Sequence, residues 1–161
     1  MFPFSSFILA DIIFPIFMLY FYPPLLGLAA SANLIIDAVV FFATLRFFHI
    51  TMKNRLGTLI ALWLLGLAAD VAGSLFLSLT LFVNNYIPQV SINYYTIYSS
   101  PAAVVLIVSA IILAGLIIYL LDRIYLRRRL PAVQAKRMAL VFAIATAPYT
   151  FLISANWFIG A

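Results

Sequence analysis

TLIALWLLGLAADVAGSLFLSLTLFV, residues 58–83, is apolar at nearly every position and carries one aspartate, Asp70, near its middle. About 20 apolar residues are enough to cross the hydrocarbon core of a bilayer as a helix, so this stretch predicts a tilted transmembrane helix. A carboxylate at the centre of such a helix costs at least about 2.5 kcal/mol, and it therefore needs a compensating role. Gly66, Gly73 and Ser74 lie one turn from Asp70 on the same face. Small side chains there would let a second helix approach the acid closely.

The composition extends this conclusion to the whole chain. Of the 161 residues, 67% are hydrophobic and 8% are charged, whereas soluble domains carry about 25% charged residues. We therefore expect one integral membrane domain, residues 1–161, with no separate soluble domain. The chain has no cysteine and a single histidine, His49. These counts exclude disulfides, thiolate chemistry and a haem held by two histidines, and we expect no cofactor.

The apolar segments predict an all-α integral membrane protein built as a five-transmembrane-helix bundle. The predicted spans are 4–22, 25–48, 58–83, 101–121 and 138–159. Pro23 and Pro24 separate the first two spans, because proline lacks an N–H group and disfavours the helical conformation of the residue before it. The second helix then begins at Leu25, or closer to Asn33 after an irregular turn, and the sequence leaves both starts open.

Basic residues predict the orientation of the protein in the membrane. All nine lysines and arginines lie in two short segments, residues 46–57 and 122–137, which are separated by two predicted spans and so share one side. The loop at 84–100 between those spans has neither Lys nor Arg. Cytoplasmic loops are enriched in these residues. We therefore expect both basic segments and the N-terminus in the cytoplasm and the C-terminus outside, in a bacterial or archaeal cell membrane.

Polar side chains within the predicted spans mark a candidate binding seam. Three of the four aspartates, Asp11, Asp37 and Asp70, fall inside spans. Intramembrane acids commonly mark substrate, ion or proton pathways, but polar side chains also act as glue between helices. The sequence leaves both alternatives open. Helix periodicity adds further polar residues, and the candidate substrate- or ion-binding residues are Asp37, Asp70, Asn33, Asp11, Thr146, Tyr149 and Asn156.

An enzyme is the least favoured function. Two intramembrane aspartates could form an aspartyl protease, in which paired carboxyl groups share a proton and activate water. That class carries a G-x-G-D motif, whereas Leu67, Ala68 and Ala69 precede Asp70 here. The zinc motif H-E-x-x-H, P-loops and dinucleotide-binding glycine fingerprints are absent from the sequence as well. We therefore lean away from an enzyme, and the sequence leaves open whether a metal ion binds.

The second basic segment is a candidate contact surface for lipid or a partner. The residues expected to form it are Arg127, Arg128, Arg129, Lys136 and Arg137. They suit anionic lipid headgroups, whose attraction is worth about 1 kcal/mol per basic residue near the surface, or a cytoplasmic or membrane partner. Expected partners are the lipid bilayer, a larger membrane complex or a second copy of the chain, and a small-molecule or cation ligand. We expect no nucleic acid partner, because the basic residues lie beside membrane spans.

Residues 33–75 carry an ordered set of features. An apolar span ends in ATLR (43–46), a short basic loop follows, and Gly57 leads into the pattern G-x-x-x-D-x-x-G over residues 66–73. This order resembles the second and third helices of the bacterial MreD shape-determining proteins. It is also similar to the substrate-binding S components of energy-coupling-factor transporters. Both families usually have six helices, whereas five are predicted here. The resemblance implies a small membrane subunit that works with larger partners.

The function favoured by these observations is a small polytopic transport component. It would bind a small solute or cation in an intramembrane seam lined by Asp37, Asp70 and Asn33. The alternative is a non-catalytic scaffold or accessory subunit of a larger membrane complex, with the aspartates as polar glue between helices. The two differ in what the acids contact. A transport site needs carboxyl groups available to a ligand, whereas glue needs their hydrogen bonds satisfied by neighbouring helices.

Overall fold

Proline residues and a serine cap set the starts of two helices. The computed structural model describes residues 23–86 and 97–153. Within those ranges the chain has no strand and forms α1 (Pro23–Phe47), α2 (Arg55–Tyr86), α3 (Pro101–Leu126) and α4 (Ala132–Ala145), with 3-10 turns at Ile97–Ser99 and Tyr149–Leu152. Pro23 and Pro101 begin α1 and α3, where a missing N–H removes no intrahelical bond. Ser100 caps α3 by accepting a hydrogen bond from the Ala103 amide at 3.4 Å.

Three of the described helices are long and apolar enough to cross a membrane. The segments are Leu26–Phe47, Arg55–Val83 and Pro101–Leu126, of 22, 29 and 26 residues. The predicted all-helical fold is confirmed, and these three helices are compatible with a membrane protein. The predicted span 4–22 and residues 154–159 of the predicted fifth span lie outside the described residues. The count of five spans therefore stays a prediction.

The described part of the fifth predicted span differs from the expectation. α4 begins at Ala132, ahead of the predicted start at 138, and ends at Ala145. At about 1.5 Å per residue its 14 residues measure about 21 Å, short of the roughly 30 Å hydrocarbon core of a bilayer. Pro148 follows the helix, and proline disfavours a helical conformation in the residue before it. The Thr146 hydroxyl donates to the Phe142 carbonyl at 2.9 Å and closes the last turn.

α3 continues past the predicted end at 121 and takes in Asp122. Ile118, Asp122 and Leu126 lie at intervals of four residues, so they share one face of the helix. The exposed fraction of each is at most 1%. The helix extends because this face keeps packing against the core beyond residue 121. Asp122, expected at the start of a loop, is therefore a buried helix residue.

The two basic segments lie at the same end of the described bundle. The Arg129 guanidinium, in the turn between α3 and α4, donates to the Thr58 hydroxyl in the first turn of α2 at 3.3 Å. Arg137, in α4, lies over the ring of Phe48, just after α1, at 5.8 Å from the ring centroid. These contacts hold both connections together at what we call the basic end.

The α-helices close into a ring around two apolar clusters. α1 packs against α2 and α4, and α3 packs against the same two helices, so α1 and α3 lie opposite each other. The basic-end cluster includes Phe41, Leu62, Ile118, Leu126, Met138 and Phe142. The far-end cluster includes Leu77, Ile107, Ala110, Ala147 and Phe151. The buried aspartates lie at the basic-end cluster and between the two clusters.

Candidate functional site

The interface between α1 and α2 brings two predicted site residues into direct contact. Asn33 Nδ2 donates a hydrogen bond to Asp70 Oδ2 at 2.9 Å. One turn along the antiparallel pair, Asp37 faces Gly66, where an added Cβ would lie 3.8 Å from Asp37 Oδ2. The exposed fractions of Asp37 and Asp70 are 4% and 2%. Both acids are thus buried within the bundle, with α1 and α2 in close contact beside them.

Asp122 joins this group from α3. It is fully buried, and neither side-chain oxygen has a hydrogen-bond partner in residues 23–86 or 97–153. Its neighbours one turn away, Ile118 and Leu126, belong to the basic-end cluster, as does Phe41, one turn from Asp37. The carboxyl groups of Asp37 and Asp122 therefore project toward the same core. They lie within electrostatic range of each other.

Asp122 is the site residue that sequence reasoning missed. The adjacent charged residues Asp122 and Arg123 indicate the end of an apolar span, which is why 121 was predicted as the boundary. The opposite signal was also present, because Ile118, Asp122 and Leu126 continue one helical face. The two signals conflict in the sequence. Only the packing of α3 against α2 and α4 decides between them.

The buried hydroxyl groups of α1 and α2 bond to their own helices. Ser74 Oγ donates to the Asp70 carbonyl oxygen at 2.9 Å. Thr44 Oγ1 donates to the Val40 carbonyl oxygen at 2.6 Å. Such bonds to the carbonyl one turn back satisfy the hydroxyl donor without a second helix. These side chains therefore do not neutralise the nearby acids.

The hydroxyl groups of two predicted site residues in the fifth span donate to nearby backbone carbonyls. Thr146 bonds within α4, and the Tyr149 hydroxyl donates to the Ile144 carbonyl at 2.6 Å. Ala147, between them in the chain, belongs to the far-end cluster, whereas Asp37 and Asp122 adjoin the basic-end cluster. Both hydroxyl protons are thus donated within this segment and not to the acids. Two further predicted site residues, Asp11 and Asn156, lie outside the described residues.

Aromatic rings engage several arginines at the basic end. The Arg129 guanidinium lies 4.8 Å from the centroid of the Tyr125 ring and also bonds to Thr58. Arg123 lies 5.8 Å from the centroid of the Tyr119 ring. Arg127, Arg128, Lys136 and Arg137 are exposed. The exposed residues are accessible for the predicted contact with lipid or a partner, and that contact stays a prediction.

Three surface cavities of the described part of the chain are lined by residues other than the acids. A cavity of 570 Å³ lies between α1 and α2, one of 550 Å³ between α3 and α4, and one of 870 Å³ beside Arg46 and His49. The residues lining these three cavities include no aspartate. Across residues 23–86 and 97–153, no three His, Cys, Asp or Glu side chains group closely enough to hold a metal ion. A buried pair of carboxyl groups can still take up and release a proton.

Comparison with protein-family models, characterised proteins and solved structures finds no match to this chain. The resemblance of residues 33–75 to MreD proteins and to S components stays a prediction. The function therefore has to be argued from the residues of the site.

Proposed function

We propose that the protein is a small membrane transport component that binds a small solute or cation among Asp37, Asp70, Asn33 and Asp122. The observation that carries the proposal is the burial of three aspartates, each at most 4% exposed, on three adjoining helices. Asp37 and Asp70 lie near the middle of their helices, where an acid costs about 2.5–3.5 kcal/mol on insertion scales, or roughly 5–7 kcal/mol for the two. The acids line none of the three described cavities, and this favours a cation over a solute.

Hydrogen bonds between the helices offset only a small part of the cost of burying these acids. Measured hydrogen bonds between membrane helices average about 0.6 kcal/mol, and the bond from Asn33 to Asp70 supplies one. Asp122 has no hydrogen-bond partner among the described residues, so its carboxyl group contributes no such bond. A cation bound at the carboxyl groups would supply the missing stabilisation.

We also propose five spans, a cytoplasmic N-terminus and an external C-terminus. The contacts from Arg129 to Thr58 and from Arg137 to Phe48 support this orientation, because they hold both basic segments at one end. Basic residues accumulate in short cytoplasmic loops. The basic end then faces the cytoplasm. α1 and α3 run toward it, and α2 runs away from it.

Ion flux in reconstituted vesicles tests the transport function. Gradients of H⁺, Na⁺ and K⁺ are imposed separately across vesicles that contain the protein, and the interior concentration of each ion is followed with a dye. We expect flux of at least one ion above the level in protein-free vesicles, and loss of most of it in Asp37→Asn and Asp70→Asn. Ser109→Ala is the matched control, because Ser109 is exposed and donates only to the Val105 carbonyl, at 2.8 Å. Flux at the protein-free level for all three ions would contradict the proposal.

The alternative is an accessory subunit of a larger membrane complex. The Asn33–Asp70 bond favours it, because this bond joins α1 to α2, and so does the finding that the acids line none of the three cavities. In that case Asp37→Asn and Asp70→Asn would change the stability of the bundle. Wild-type vesicles would show no flux for these variants to lose.

A further inference from the structure

We propose that Asp122, with Asp37 on the opposite helix of the ring, is a proton-binding site, and that the cation of the transport function is the proton. The biological role of this site rests on the proposed transport function. The binding of the proton does not, and it can be tested without any transport measurement.

Asp122 lies where an ionised carboxylate is poorly stabilised. Its side chain is fully buried, and neither oxygen accepts a hydrogen bond from any described residue. Its neighbours on the same helical face are Ile118 and Leu126, both apolar and buried. An unpaired buried charge costs far more than a neutral buried polar group. Ionisation of Asp37 as well would add repulsion between like charges.

The helices packed around Asp122 bring further acids rather than a cation to this core. α1 contributes Asp37, and the buried acid of α2, Asp70, accepts its hydrogen bond from the neutral amide of Asn33. Arg46 and Arg55, at the ends of α1 and α2, are exposed. None of the buried side chains of α4 can be ionised. They are Ala135, Met138, Ala139 and Phe142. Within the described residues, neutralisation of the Asp37–Asp122 pair therefore depends on a ligand.

Two of the arginines that follow Asp122 in the chain are engaged elsewhere, and two others, Arg127 and Arg128, are exposed. Arg123 lies over the Tyr119 ring, and Arg129 lies over the Tyr125 ring and donates to the Thr58 hydroxyl. Cation–π contacts of this kind hold a guanidinium at the ring face. Neither arginine hydrogen-bonds to a side-chain oxygen of Asp122.

A proton fits this site better than a metal ion or an organic solute. Ca²⁺ takes about six to eight oxygen ligands and Mg²⁺ about six, whereas Asp37 and Asp122 offer two carboxyl groups in apolar surroundings. An organic solute needs a pocket of about 300 Å³ or more, and Asp122 does not line any of the three cavities. A proton needs one carboxyl oxygen and no added volume.

The binding step is a simple acid–base reaction. Hydronium gives up a proton, its O–H electron pair stays on the water oxygen, and a lone pair of an Asp122 carboxylate oxygen forms the new O–H bond. The product is a neutral Asp122 carboxylic acid, so the Asp37–Asp122 pair carries at most one negative charge instead of two. Release to water reverses the step, and no other reactant is needed.

Infrared spectroscopy of the protein in lipid tests the site directly. The chain has four acidic side chains, all aspartates, so the carbonyl bands of protonated side-chain carboxyl groups come from four residues at most. At neutral pH we expect such a band in the wild type, moved by exchange into heavy water, and we expect Asp122→Asn to lose it. Asparagine matches the neutral acid in size, and Ser109→Ala serves as the control that keeps the band. An unchanged band in Asp122→Asn would overturn the proposal.

A second measurement covers the case in which Asp122→Asn does not fold. Wild-type protein labelled with ¹³C at the aspartate carboxyl carbons is examined by solid-state NMR at neutral pH. A protonated carboxyl signal that moves in Asp37→Asn supports the site, and four ionised signals overturn it.

Flux measurements then distinguish the proton-binding site from the transport function. An Asp122 band without flux of any of the three ions leaves the proton site and removes the transport function. Na⁺ or K⁺ flux that survives Asp122→Asn removes the proton as the transported ion.

Discussion

Asn33 supplies the hydrogen bond that ties the acid of α2 to α1. Its Nδ2 atom donates to Asp70 Oδ2 at 2.9 Å, across an interface that buries Asp70 to 2% exposure. Asn33→Leu removes the donor while keeping a side chain of similar size. Removing one partner of a buried hydrogen bond costs about 1–3 kcal/mol. We expect this loss of stability in thermal or denaturant unfolding of the protein in detergent.

A nearby serine provides the control for that variant. Ser31 is exposed, and its hydroxyl donates to the Gly27 carbonyl within α1, at 2.8 Å. Ser31→Ala should therefore change stability by less than about 0.5 kcal/mol. Equal stabilities for Asn33→Leu and Ser31→Ala would show that the interhelical bond contributes nothing.

His49 adopts a backbone conformation that glycine would adopt more easily. Its φ is 51°, in the left-handed region, at the end of α1. The Ile50 amide donates to the Leu45 carbonyl at 2.9 Å and the His49 amide donates to the Arg46 carbonyl at 3.4 Å, which is the Schellman pattern of a helix end. We expect His49→Gly to raise the free energy of unfolding by up to about 1 kcal/mol, because it removes the Cβ clash. His49→Ala keeps the Cβ and should bring no gain in the same assay, and a less stable glycine variant would be evidence against this strain.

At the scale of elements, local sequence was enough to locate the long helices but not all their ends. α2 was predicted over 58–83 and spans Arg55–Tyr86. It starts earlier because Asn54 acts as a cap, its Oδ1 accepting a hydrogen bond from the Gly57 amide at 2.9 Å. Asparagine is a favoured N-cap residue, and a search for apolar length alone overlooks it. Length and hydropathy are local properties, so they predicted α2 and α3 well.

The candidate site was less predictable than the helices that carry it. Asp37 and Asp70 could be selected from the sequence because a carboxyl group inside an apolar span is unusual wherever the helix packs. The burial of Asp122 and the exposure of Tyr149 depend on which helices pack together and at which residues they meet. No local window of sequence carries that information.

Close packing of α3 against α4 depends on Gly115. A Cβ at this position would lie 3.2 Å from the backbone oxygen of Ala143, in α4, so the helices would have to move apart. We expect Gly115→Ala to destabilise the protein by about 1–3 kcal/mol, the usual range for overpacking. Thermal unfolding in detergent measures the effect.

Gly27 is the matched control for that substitution. A Cβ at Gly27 would meet no atom within 4 Å, although the residue also lies in a helix. Alanine favours a helix over glycine by up to about 1 kcal/mol. Gly27→Ala should therefore be neutral or stabilising, and a Gly115→Ala variant as stable as Gly27→Ala would mean that the α3–α4 spacing is adjustable.

For the whole molecule, the orientation can be tested with single cysteines. The chain has none of its own, so one introduced cysteine reports one position. A membrane-impermeant maleimide added to intact cells should label Ser91→Cys, in the loop between the third and fourth predicted spans, and should label Arg128→Cys only after the cells are permeabilised. This result follows from placing the basic end in the cytoplasm.

The reverse labelling pattern would mean that the protein has the opposite orientation in the membrane. The contacts of Arg129 with Thr58 and of Arg137 with Phe48 hold the two basic segments together. A cysteine at Lys53 should therefore behave as Arg128→Cys does in either orientation. Different labelling of these two positions would contradict the shared end itself.

Because α4 is short, we expect α3 to enter the membrane first and α4 to follow it. α3 is the most apolar of the three long helices, so the translocon can pass it into lipid on its own. α4, at 14 residues, is too short to be recognised alone. It follows α3 after the turn at 127–131 and packs against it, so we expect it to enter together with α3 as the second arm of a hairpin. We therefore expect Asp122 to meet lipid during synthesis before α4 covers it, and a proton acquired at that stage would spare the nascent helix from carrying a charge into hydrocarbon.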